Sequence, residues 1–130
     1  MLTPIIPTGL SITPGLSQAM LIRGGSLLVV SGLVSTNALG AIVGADVESQ
    51  LTQIFMNMDA TLKAAGSDFR SVARLTYYLV NYQVAHLAVV RSVRDRFVDV
   101  SRPPASTLIG VAALALPNFL VEMDAIAVVP

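Results

Sequence analysis

The sequence predicts an α+β domain in which two helices pack on one face of a β-sheet, and three observations predict it. Two stretches carry apolar residues at helical spacing, six short runs are rich in aliphatic and β-branched residues, and glycine, proline and asparagine punctuate the gaps. The order along the chain is β, β, β, α, β, α, β, β.

Met1 to Gly15 carries Pro4, Pro7 and Pro14 and reads as an edge strand or extended arm followed by a loop. Gln18 to Arg23 and Ser26 to Ser31 are apolar runs flanking Gly24-Gly25, the two-residue glycine connection of a β-hairpin. Beyond a loop holding Asn37, Gly40 and Gly44, the residues Val47, Leu51, Ile54, Phe55, Met58 and Leu62 fall on one face of a helix. Asp46 is placed to cap its N-terminus, Glu48 suits the positive end of its dipole, and Gly66 lies where a left-handed residue stops it.

Val72 to Val80 is a strand buried on much of both faces, turned by Asn81 to Gln83. A second helix from Val84 to Val98 sets Leu87, Val90, Val93, Arg94 and Phe97 on one side and Arg91 and Asp95 on the other as an exposed pair, before Arg102-Pro103-Pro104 ends it. The last strands, Ser106 to Ala113 and Phe119 to Val128, flank a turn around Pro117 and Asn118. In the second, period two puts Phe119, Val121, Met123, Ala125 and Ala127 on one face and Glu122 and Asp124 on the other.

The 130 residues amount to one domain, 1–130, of which 54% are hydrophobic and only 12% charged. A chain this small buries roughly two-thirds of its unfolded surface. A mean hydropathy of +0.72 therefore leaves apolar residues over once the core is filled, and subunit interfaces are expected to cover them. No apolar run approaches the ~20 residues of a membrane-spanning helix, and Pro4 and Pro7 interrupt any signal-like start, so a cytoplasmic location is expected.

Without cysteine there is no disulfide, thiol nucleophile or thiolate-held zinc, and one histidine among scattered carboxylates offers little to a metal. Eight basic side chains balance eight acidic ones and Lys63 is the single lysine, which argues against a nucleic-acid partner. No glycine-rich phosphate loop is present.

Few residues are left to carry chemistry. His86 reads as a partly exposed helix residue, and the arginines at 91, 94, 96 and 102, interleaved by Asp95 and Asp99, as a solvated face. Glu122 stands in a strand whose neighbours are nearly all apolar. It faces either solvent or the wall of a cleft, where it would orient or deprotonate a water. Ser31-Gly32, at the end of a strand, either holds a purely structural glycine or lets a ligand approach backbone amides closely.

Val30-Ser31-Gly32, Gln50 and Asn57, Ala64-Ala65-Gly66-Ser67, Pro103-Pro104-Ala105, Gly110-Val111-Ala112-Ala113-Leu114, Val121-Glu122 and Ala125-Ile126-Ala127 occur in the order found in the YjgF/RidA reactive-intermediate deaminases (endoribonuclease L-PSP-like proteins). From Ser17 to Val128 the chain resembles that family. The resemblance implies a chorismate-mutase-like subunit in a homotrimer with a central barrel of sheets, clefts for small-molecule metabolites between subunits, and cofactor-free hydrolysis of imines and enamines to 2-oxo acids and ammonia.

It also implies site residues. Ser31 and Gly32 line the cleft and Glu122 positions the hydrolytic water, but the arginine that follows Pro-Ala in the family is here Ser106, and the tyrosine of its Gly-Pro-Tyr-Ser segment is Leu16. A guanidinium holds a substrate carboxylate bidentately, and a serine does not replace that charge-assisted bond. The expectation is a divergent relative whose pocket, with hydroxyls from Ser106 and Thr107, takes a neutral or weakly polar metabolite. The alternatives are an imine deaminase working through Glu122 and a trimeric interaction module without catalysis.

Overall fold

A computed structural model describes all residues, Met1–Pro130. The elements are β1 (Leu2–Ile5), β2 (Ala19–Ile22), β3 (Ser26–Leu33), α1 (Val47–Ala64), a 3-10 turn (Phe69–Ser71), β4 (Val72–Val80), α2 (His86–Arg94), β5 (Ala105–Val111) and β6 (Val121–Val129). The predicted order holds throughout.

Four strands form the main sheet in the order β3-β6-β4-β5. Its β4·β5 pair is parallel and the other two pairs are antiparallel. Both helices pack on one face, where Leu51, Ile54, Phe55, Met58 and Leu62 of α1 meet Val121, Met123, Ala125 and Ala127 of β6, and Leu75, Tyr77 and Leu79 of β4. Phe55 anchors this core, stacked on Phe97 at 5.0 Å between ring centroids and tilted against Phe69 and Tyr77 at 5.7 and 6.3 Å.

Local sequence accounts for α1 at both ends. The Asp46 carboxylate accepts from the Ser49 backbone N–H at 2.7 Å, while Gly66 N–H and Ser67 N–H donate back to Lys63 and Leu62 carbonyls in a Schellman motif. No helix is long and apolar enough to cross a membrane.

Three expectations are corrected. The runs on either side of Gly24-Gly25 do not form a hairpin: both glycines take positive φ, 72° and 73°, as such a turn demands, but β2 pairs with β1, and β3 pairs with β6. The physical reason is burial, because Leu2 of the β1-β2 ribbon packs on Ala73 and Val128, drawing the ribbon across the face opposite the helices. Helix α2 is shorter than its periodicity suggested, stopping at Arg94, with Phe97 N–H and Val98 N–H turned back onto the Arg94 carbonyl. Finally, Asp95 pairs not with Arg91 but with Arg94, which leaves the solvated face assigned to it and is buried.

The ribbon covers only part of the open face. Leu27 and Val29 on the edge strand β3 stay 62% and 71% exposed, and Ile109 on the other edge is 40% exposed, so part of the apolar surplus of the composition lies on this face.

Candidate functional site

The candidate residues fall into two groups on opposite faces of the sheet. The first is built at an irregularity of β3. Val30 is paired with Ala125 and Leu33 with Met123, so Ser31 and Gly32 form a bulge opposite a single residue of β6. That residue is Asp124; Glu122, two residues away in β6 and on the same face, is likewise turned away from the helices by the alternation of the strand. The Glu122 carboxylate lies directly on Gly32, where any Cβ would overlap it. Glycine here is a requirement of space. Ser31 and Gly32 are exposed and Glu122 is half-buried, which leaves the carboxylate open to a neighbour or a ligand.

Around Glu122 the open face is polar. Tyr78, its partner across β4·β6, donates its hydroxyl to Asp124 at 2.8 Å. That bond, with desolvation and the charges of Asp124 and Glu122 behind it, raises the Tyr78 pKa above the ordinary phenol value, against a smaller opposing effect of Arg74. Thr107, on the edge strand β5, is exposed on the same face as Thr76, its partner in the parallel pair.

Ser106 belongs to the second group. It pairs with Leu75 in the layer facing the helices and lines a cleft between β5 and α2, together with Leu16, Tyr77, Leu87, Arg91 and Arg94. The volume of this cleft is about 100 Å³. Its roof is the segment before β2, pinned where the Ser17 N–H donates to the Pro104 carbonyl at 3.1 Å and the Ser17 hydroxyl to the Pro103 carbonyl. Gly15, at φ 84°, lies against the Arg94 guanidinium, and a Cβ there would overlap it. Two interstrand spacings and three residues of register separate Ser106 from Glu122, roughly 14 Å along the sheet, and they face opposite ways.

Reading the sequence missed Arg94 and Tyr77. The signal for Arg94 was present, since it shares the apolar side of α2 with Val90 and Val93; the Tyr77 hydroxyl carried none, because its ring belongs to the core pattern. His86 is a local helix residue, its Nδ1 accepting from the Gln83 N–H at 2.8 Å.

A family model described as Endoribonuclease L-PSP matches residues 11–129. The chain is 36% identical over 111 residues to the protein AldR of Lactococcus lactis, covering 85% of this chain and 83% of that one. It is 34% identical over 112 residues to Reactive Intermediate Deaminase A, chloroplastic, of Arabidopsis thaliana, over 85% of this chain and 57% of that protein. Among solved structures, YyfB of Yersinia pestis, a member of the conserved Rid protein family, is similar with a TM-score of 0.89 at 34% identity, over 98% of each chain.

Proposed function

The chain belongs to the Endoribonuclease L-PSP family, which includes the YjgF/Rid proteins, and from that premise we propose that it is a cytoplasmic homotrimer with a small-molecule pocket between neighbouring subunits, diverged from the imine deaminases at Ser106. The observation that carries this reading is the separation of the two groups. One chain puts Ser31, Gly32 and Glu122 on the open face of its sheet and Ser106 on the other, so a pocket using both needs a second copy. The exposed Leu27 and Val29 supply apolar surface for that contact.

In the pocket, Glu122 accepts a proton from water as the water oxygen bonds to an electrophilic carbon. For an imine, that proton passes to nitrogen to give a carbon bearing hydroxyl and amino groups; the hydroxyl then gives its proton to the nitrogen as the carbon–nitrogen bond breaks, so that ammonia leaves and a carbonyl product remains. The relative named a reactive intermediate deaminase supports imine hydrolysis as the second reading. Ribonuclease action, which the family description carries, is disfavoured by the balance of charge: eight basic side chains are matched by eight acidic ones, and Lys63, Arg70 and Arg94 are each engaged by an aspartate.

The test joins mass to turnover. Light scattering should give three chains per particle, and an amino-acid oxidase generating imines in place should reveal hydrolysis that Glu122→Gln abolishes without changing the mass. A monomer, or turnover untouched in that variant, removes the corresponding part of the reading.

A further inference from the structure

We propose that the cleft between α2 and β5 anchors the carboxylate of a small organic acid, with Arg94 supplying the cation that Ser106 does not. The inference rests on the pocket reading above and deepens it by naming the charge of the ligand and the residue that holds it.

Arg94 is 7% exposed. Its Nε and Nη2 both address one oxygen of Asp95, at 2.9 and 2.8 Å, and its Nη1 has no acceptor in the chain. A guanidinium carries five N–H donors, so a buried one served by a single carboxylate oxygen retains unused donors. Beside it, the Tyr77 hydroxyl lies in a residue 1% exposed and has no hydrogen-bond partner. Burial raises the Tyr77 pKa far above the ordinary phenol value, against the opposing charge of Arg94, so the hydroxyl stays protonated and able to donate.

The rest of the lining agrees. Ser106 Oγ makes no hydrogen bond within the chain, Arg91 lines the cleft without an acidic partner, and no carboxylate is among the lining residues. The groups on offer are therefore N–H and O–H donors with positive charge, the complement of a carboxylate's two acceptor oxygens. Leu16, Leu87, Val90 and Leu108 supply apolar walls beside them. A volume of about 100 Å³ admits a carboxylate and a short carbon chain and excludes a nucleotide or a peptide. This arrangement replaces the expected neutral ligand with an anionic one, since the cation missing from β5 is provided by α2.

The experiment follows the Nε–H resonance of Arg94 in ¹⁵N-labelled protein during titration with pyruvate, with pyruvamide as the neutral counterpart and inorganic phosphate as a second anion. Pyruvate should shift that resonance and pyruvamide should not. Binding of pyruvate should weaken at least about tenfold in Tyr77→Phe, which keeps the ring and its packing, and in Arg94→Lys, which keeps the charge without the fork. Equal binding of pyruvate and pyruvamide, affinity unchanged in both variants, or an Arg94 resonance that does not move overturns the proposal. Phosphate binding as tightly as pyruvate overturns the carboxylate assignment. Pyruvate binding that needs Arg94 in a protein showing neither trimer nor turnover retains this site and removes only the pocket reading; the reverse pattern removes only this site.

Discussion

Replacing Gln50 with methionine removes three hydrogen bonds while preserving length and much of the shape of the side chain. Gln50 is 1% exposed. Its Nε2 donates to the carbonyls of Gly44 and Asn118 at 3.1 and 2.9 Å, and its Oε1 accepts from the Leu120 N–H at 2.9 Å. One helical side chain thereby ties the loop before α1 to the segment that starts β6, two residues before Glu122.

Gly44 and Asn118 are exposed residues whose carbonyls can turn to water, but Leu120 is half-buried and its N–H would be stranded. An unsatisfied buried donor costs ~1–3 kcal/mol and each lost bond ~0.5–1.5 kcal/mol, so Gln50→Met should destabilise by about 2–4 kcal/mol. Urea unfolding at fixed protein concentration measures this as a lower midpoint with an unchanged slope. Amide exchange locates it, with Leu120 losing protection ahead of the central β4. A loss below about 0.5 kcal/mol, or exchange at Leu120 that does not accelerate, would refute the assignment of Gln50 as the tie.

Three further outcomes follow from the same geometry. Gly32→Ala should push the Glu122 carboxylate off the bulge and cut turnover by about 100-fold with the far-UV spectrum unchanged, and a variant as active as the parent would detach Gly32 from the site. Val29→Glu, on the exposed apolar edge, should yield a folded monomer in light scattering; a retained oligomer would place the interface elsewhere. Hydrogen bonds from the Ser49 side chain and backbone hold the Asp46 pKa below 3.8, so the folded state binds fewer protons than the unfolded one. That stabilisation is complete above 3.8 and is lost as pH falls through the folded value. Asp46→Asn, which keeps a capping oxygen without the titration, should therefore show a shallower fall in urea midpoint between about pH 4 and about pH 2 than the parent, and parallel curves would contradict the cap.

Much of the fold was legible in the chain because the signals were local. The one-sided spacing from Val47 to Leu62 needs only the helical period to be read, and α1 buries Leu51, Ile54, Phe55, Met58 and Leu62 as that period requires. Alternation in β6 likewise separated Val121, Met123, Ala125 and Ala127 from Glu122 and Asp124 without reference to any other strand. Gln50, Asn57 and Ser67, which share in the family resemblance, each hydrogen-bond a backbone carbonyl in a distant segment: Gln50 that of Asn118, Asn57 that of Thr36 and Ser67 that of Val128.

What the sequence determined by itself was the class and order of elements and the apolar surplus, all of which depend on periodicity and composition. The tertiary structure decided where β2 goes, because burial of Leu2 on Ala73 and Val128 outweighs a local turn whose glycines were correctly placed for a hairpin. It also decided the fate of Arg94. A charged residue at the end of a helix is ordinarily solvated, and only the packing of Gly15 over its guanidinium, with Asp95 folded back onto it and the Tyr77 hydroxyl alongside, turns it into a buried cation at the cleft of Ser106.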